Sequence, residues 1–194
     1  MNVCALQLHF FHFEPCYNWL PCAVRQEFYV ERGLRVIHEF KVRLEVHNEV
    51  QQSILDEGEV AGIFLNIDQI YDFNRKLHTE LMKARMEGPE ILLDKLGETM
   101  QQHIPFFKLY TQYIKSQKRA KDAYDVCMKK RKFQDFLNIN EKCAGVPLST
   151  LLSVPVMRLP QYLHFFGAIH NLMDQSATVT SPCPPPLYFE IQRF

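Results

Sequence analysis

The chain has 194 residues, 47% of them hydrophobic, and its 22 Lys and Arg are balanced by 22 Asp and Glu. That length and apolar content suit one domain around one core, and zero net charge excludes the broad basic footprint of a nucleic-acid binder. Cys4, Cys16, Cys22, Cys127, Cys143 and Cys183 form no Cys-x-x-Cys and no Cys/His pair. This excludes zinc-site spacing and reads as the reduced thiols of a cytoplasmic protein.

The opening, Met1 to Pro21, is aromatic and proline-bearing without a sustained period. Its first basic residue is Arg25, and His9, His12 and Glu14 interrupt the apolar run, so it does not read as a signal peptide. No run reaches the roughly 18 apolar residues of a membrane span, so no stable membrane insertion is expected. From there the pattern is helical. Val30, Leu34, Ile37, Phe40 and Leu44 form a first stripe at spacings of three and four. A second holds Val60, Ile63, Phe64, Ile67, Ile70, Tyr71, Leu77 and Leu81, and Gly88-Pro89 stops it. Ile91, Leu92, Leu96 and Met100 make a third, ending near Pro105. Phe107, Tyr110, Tyr113 and Ile114 open a fourth, followed by a charged helix to about Cys143 that buries Tyr124, Cys127, Phe136 and Leu137. No alternating strand pattern of useful length occurs. The expected class is all-α, an elongated helical bundle.

Gly145-Val146-Pro147 leads into Pro155-Val156-Met157-Arg158-Leu159-Pro160-Gln161-Tyr162, the most distinctive segment. Pro155 ends or kinks what precedes it, because it lacks an N–H and crowds the previous turn. The helix beyond carries Leu159, Tyr162, Leu163, Phe166, Ile169 and Met173 on one stripe. After Ala177 the run Ser181-Pro182-Cys183-Pro184-Pro185-Pro186 favours extended polyproline geometry. The organisation expected is an irregular head (1–21), a helical domain (22–176) and a proline-rich tail (177–194).

The double-proline segment resembles the pattern Pro-Val-Gln-Arg-(Leu/Val/Ile)-Pro-(Arg/Lys)-Tyr of the Dbl homology domain, the exchange-factor module of Rho-family GTPases. It departs at Met157 and Gln161. Gly62-Ile63-Phe64-Leu65-Asn66-Ile67-Asp68-Gln69-Ile70 resembles the family's Ile-Phe-x-Asn-Ile-x-x-Ile signature, and Lys132-Phe133-Gln134-Asp135-Phe136-Leu137 resembles its phenylalanine-bearing segment. All three stand in family order over roughly Gln26 to Met173. The likeness begins and stops abruptly near Gln26 and Gln175, which suggests an alternative start and end on an incomplete, truncated domain with no pleckstrin homology domain following.

The resemblance implies a Rho-family small GTPase as partner, no cofactor, no metal and no catalytic residue in the covalent sense. It implies guanine-nucleotide exchange by binding the switch regions, or, as the alternative, a non-catalytic GTPase-binding or regulatory fragment. Aligning the family's Glu-Leu-x-x-Thr-Glu-x-x-Tyr-Val onto Tyr29-Val30 puts Gln26 at the second glutamate and Pro21 at the first, the switch-contacting one. Glu27 and Glu31 are the nearby carboxylates, on another helical face and a turn too late respectively. Gln161 replaces a family Arg or Lys, keeping a hydrogen bond but losing the charge. His164, Phe165 and Ala168 would share its face by i+3, i+4 and i+7 spacing. The GTPase-binding set is therefore Gln26, Glu27, Arg158, Gln161, His164, Phe165 and Ala168, with Phe165 open to core packing and Arg158 to anchoring the proline turn. The basic run of Lys118, Arg119, Lys121, Lys129, Lys130, Arg131 and Lys132 reads first as a solvated helix face, with a nuclear-import or lipid-headgroup patch as the alternative. No nucleophile with a base partner emerges. Pro182-Cys183-Pro184-Pro185 satisfies Pro-x-x-Pro, a weak signal by itself.

Overall fold

The computed structural model describes residues 26–50, 53–88, 95 and 98–175, and for 50 and 165–175 the backbone only. Among the described residues the fold is all-α with no strand. The first helix, α1, occupies residues 26–50: a π-helical stretch, Tyr29–Leu34, runs into the α-helix Arg35–Val50. Arg35 N–H bonds the carbonyl of Val30, five residues back, so one extra residue is wound into that turn. Next come α2, Glu57–Phe64, and α3, Ile67–Glu87. After a 3-10 turn at Ile104–Phe107 follow α4, Lys108–Cys127, and α5, Arg131–Ala144. A single-turn α6, Leu148–Leu151, precedes α7, Val154–Gln175.

Local chemistry explains several of these limits. α2 starts at a reciprocal capping box: Glu59 N–H donates to Asp56 Oδ1 at 2.8 Å, and Asp56 N–H donates to Glu59 Oε2 at 2.9 Å. α5 ends at Gly145, whose φ of 71° is the left-handed conformation that favours glycine, and its N–H closes on the Glu141 carbonyl at 2.8 Å. Pro155 is the second residue of α7, where a missing N–H is harmless, so it starts a helix more than it kinks one. Pro160 lies inside α7, so the Val156 carbonyl loses its usual donor.

The first stripe is buried from Val30 to Leu44, and the second from Val60 to Leu81, with Tyr71 partly covered. Met100, Phe107, Tyr110 and Tyr113 join the same core, and Leu159 and Tyr162 close it from α7. Each such side chain contributes about 1.5–3 kcal/mol on burial. Ile91, Leu92 and Leu96 lie outside the described residues, as do the head and the tail.

Two helices expected as continuous are broken. Leu65, at φ 52° and ψ −135°, separates α2 from α3 in the middle of the second stripe. Asn66 then donates from Nδ2 to the carbonyl of Leu109 at 3.1 Å, anchoring the break to α4. The charged helix expected to run to Cys143 is interrupted at residues 128–130, where Lys130 reaches Glu59 of α2. In both places a tertiary partner turns the chain where the local period gives no sign of a turn.

α2 packs on α4, α1 on α3, and α4 and the π-helical stretch on α7. α7 runs antiparallel to the start of α1. Val154 faces Gly33, where a Cβ would sit 3.1 Å from its Cγ1, and Arg158 stacks on Tyr29 with 4.6 Å between guanidinium and ring centre. Gln26 meets both Arg158 and Tyr162. Glycine at 33 is what lets the two helices come this close.

Candidate functional site

At the α1–α7 contact the core turns polar. Gln26 is fully buried, and its amide oxygen accepts from Arg158 Nη2 at 2.5 Å and from the Tyr162 hydroxyl at 2.7 Å. Its amide nitrogen donates to Asn74 Oδ1 of α3 at 3.0 Å. Asn74 spends its two amide hydrogens on the Ile70 carbonyl, at 2.7 Å, and on the Tyr110 hydroxyl of α4, at 2.8 Å. Tyr110 and Tyr29 join hydroxyl to hydroxyl at 3.0 Å. The Tyr162 hydroxyl has one proton and two acceptors, Gln26 at 2.7 Å and Asn74 at 3.2 Å, so the nearer amide oxygen takes it. Six side chains from α1, α3, α4 and α7 thus form one interior network.

Its single charge is Arg158, 6% exposed. Among the described residues no carboxylate pairs with it, and its buried Nε has no hydrogen-bond partner. Two aromatic faces compensate: the guanidinium lies 4.4 Å from the Tyr162 ring centre and 4.6 Å from that of Tyr29. Desolvated contacts of this kind contribute about 2 kcal/mol. Burial alone pushes the guanidinium down, but the oxygens of Tyr162, Tyr110 and Tyr29 more than reverse this, so its pKa is raised and it stays charged. Burial also pushes the phenols of Tyr29, Tyr110 and Tyr113 above their ordinary value of 10.0, so they remain neutral. A locked cation and neutral phenols supply neither nucleophile nor base. What they do is fix α1 against α7.

The residues expected at a partner surface divide accordingly. Gln26 and Arg158 belong to this interior, both buried. Glu27 is exposed beside Gln26. Gln161 is half-buried and accepts from Arg158 Nη1 at 3.1 Å, one end held by the network. His164 is exposed on the following turn. The side chains of Phe165 and Ala168, and all of Pro21, lie outside the described residues. Glu31 is engaged by Arg35 at 2.8 Å.

Asn74 and Tyr110 are the members that the sequence reading missed as a pair. A signal for Asn74 existed: it falls at the apolar position between Ile70 and Leu77, where a polar residue needs a buried partner. Among the described residues, no group of three or more His, Cys, Asp or Glu is placed to hold a metal ion.

Comparison with known proteins agrees with this architecture. The family model described as RhoGEF domain matches residues 27–179. The chain is 28% identical over 112 residues to guanine exchange factor for Rac 30 of Dictyostelium discoideum, covering 58% of this chain and 7% of that protein. It is 28% identical over 110 residues to FYVE, RhoGEF and PH domain-containing protein 2 of Mus musculus, covering 55% and 17%. With FYVE, RhoGEF and PH domain-containing protein 1 of Homo sapiens the identity is 29% over 107 residues, covering 53% and 11%. The chain therefore spans less than a fifth of the length of these relatives. A solved structure concerned with the PH and C1 domains of the Vav1 exchange factor shares the fold, with a TM-score of 0.69 at 18% identity over 91% of this chain and 44% of that one.

Proposed function

The chain belongs to the RhoGEF domain family, whose members are guanine-nucleotide exchange factors, and we propose that it binds a Rho-family small GTPase through the paired start of α1 and α7 and promotes release of GDP. No covalent chemistry is involved. A GTPase that holds nucleotide near the picomolar scale does so with about 16 kcal/mol. An exchange factor lowers the barrier to release by binding the nucleotide-free form better than the loaded one. The observation that carries the reading is the clamp of Gln26, Asn74, Arg158 and Tyr162, which makes one rigid platform of two helices far apart in sequence. On that platform Glu27, Gln161, His164, Phe165 and Ala168 are the proposed contacts. Gln26 and Arg158 act beneath them as positioning residues. A cytoplasmic location goes with this reading, and no single described helix is long and apolar enough to cross a membrane.

Two observations favour a second reading, a fragment that binds a GTPase without promoting exchange. Gln161 is neutral and tied down by Arg158, and Pro21 offers no carboxylate. Release of fluorescent GDP from a panel of Rho-family GTPases separates the two. The exchange reading expects faster release that Glu27→Ala abolishes without changing the melting temperature. Complex formation without faster release selects the second reading, and neither binding nor release with any panel member rejects both.

A further inference from the structure

We propose that the outer face of α4 is a docking surface for an anionic lipid bilayer. Lys108, Lys115, Lys118, Arg119 and Lys121 are all exposed, and residues 99–121 contain no Asp or Glu. In a chain of zero net charge this is a sharp segregation. α4 buries Tyr110, Tyr113, Ala120 and Cys127, and at about 100° per residue Lys108, Lys115, Lys118 and Arg119 fall on the opposite side, with Lys121 on the flank. Lys108 to Arg119 covers about 16 Å at 1.5 Å per residue. The row ends at Asp122.

Elsewhere surface cations are paired in part, and Arg32, Lys76, Lys83, Arg85, Lys129, Arg131 and Lys142 form no salt bridge among the described residues. Arg35 bridges Glu31 and Glu39, Lys41 bridges Glu45 and Asp68, Arg43 faces Glu39, and Lys130 bonds Glu59. None of the five cations on α4 forms a salt bridge among the described residues. Like charges one turn apart, as at Lys115 and Arg119, oppose helix formation, and a cation at the opening of a helix opposes its dipole. The row is thus arranged against the stability of its own helix, and an external anion is what would relieve it.

The chemistry of the row selects the occupant. Four of the five are lysines, compact hydrated point charges, where discrete phosphate recognition favours the planar fork of arginine. A broad band of mobile cations, mostly ammonium groups, complements a diffuse field, such as the headgroup plane of a membrane containing phosphatidylserine. The lysines expected to extend the basic run past residue 128 are separated from it by the break, and Lys130 is occupied by Glu59.

The test is co-sedimentation of the full chain with vesicles of phosphatidylcholine alone or with about a third phosphatidylserine, at low salt. The expected result is binding to the anionic vesicles only, weakened by added salt. Lys115→Ala/Lys118→Ala/Arg119→Ala should lose at least about tenfold in partitioning, since each cation at such a surface contributes separately. Arg75→Ala/Lys76→Ala/Lys83→Ala removes three charges from α3 and should change it less than about twofold. Should the α4 triple variant melt early, Lys115→Gln/Arg119→Gln carries the same comparison. Equal binding to both vesicles, equal loss in the α3 variant, or displacement by millimolar inorganic phosphate would overturn the proposal. So would tighter binding of polyglutamate than of the anionic vesicles, which would assign the face to an acidic protein.

Discussion

At the scale of single residues, the polar core makes neighbours in sequence behave oppositely. Tyr162 is buried with its ring edge-on to Phe107, 5.1 Å between centres, whereas Gln161 lies at the margin. Tyr162→Ala should cost about 3–5 kcal/mol as a large-to-small core change. Tyr162→Phe removes only the hydroxyl and should cost about 1 kcal/mol, because Arg158 still satisfies the Gln26 oxygen. Gln161→Ala should change stability little. Urea unfolding of the three variants checks the order, and equal shifts for positions 161 and 162 would show the helix face to be misassigned. Gln26→Ala is the sharper case. It removes the acceptor of Arg158 Nη2 and the nearer acceptor of the Tyr162 hydroxyl, leaving Gln161 and Asn74 at longer distances, so a loss of about 2–3 kcal/mol is expected from one fully buried position.

At the scale of elements, the α1–α7 contact depends on how closely two helices approach. A Cβ on Gly33 would sit 3.1 Å from Val154 Cγ1 and 3.7 Å from Tyr29 Cδ2. Val154 is β-branched and stiff at χ1, so it yields poorly. Gly33→Ala gains about 1 kcal/mol of helix propensity but loses more to overpacking, for a net cost of about 1 kcal/mol. Adding Val154→Ala should relieve the crowding, so the double variant is more stable than the two single effects predict. An additive double-mutant cycle would place the strain elsewhere. The α2 start behaves locally by contrast: Asp56→Ala should cost about 1 kcal/mol through the lost cap, measurable as the same shift in chemical unfolding.

At the scale of the whole molecule, the buried phenols set the alkaline limit of stability. Tyr29, Tyr110 and Tyr113 hold their protons above the ordinary 10.0 in the folded chain. Above that pH the unfolded chain binds fewer protons than the folded one, so stability is full below about pH 10 and falls as pH rises beyond it. Absorbance titration at the tyrosinate band should show these three ionising only together with loss of helix. Ionisation of Tyr29, Tyr110 and Tyr113 near pH 10 with the helix intact would contradict the buried network.

What the sequence alone determined is whatever depends on neighbours within a few turns. The apolar stripes from Val30 to Leu44 and from Val60 to Leu81 follow from a helix repeating every 3.6 residues, and the three matched segments carry the family and hence the all-α class. What only the tertiary structure decided is where polar residues go. Gln26 and Glu27 look alike as exposed polar neighbours, yet one is sealed in the core and the other is in solvent. The difference is made by Asn74, 48 residues away, and Arg158, 132 residues away, arriving on other helices. The breaks at Leu65 and at residues 128–130 have the same origin, since Leu109 and Glu59 hold the turned chain from outside its own helix. Apolar burial is written in a local period because any apolar neighbour satisfies it. A buried amide or guanidinium is stable only beside particular donors and acceptors, and those are brought together by the fold.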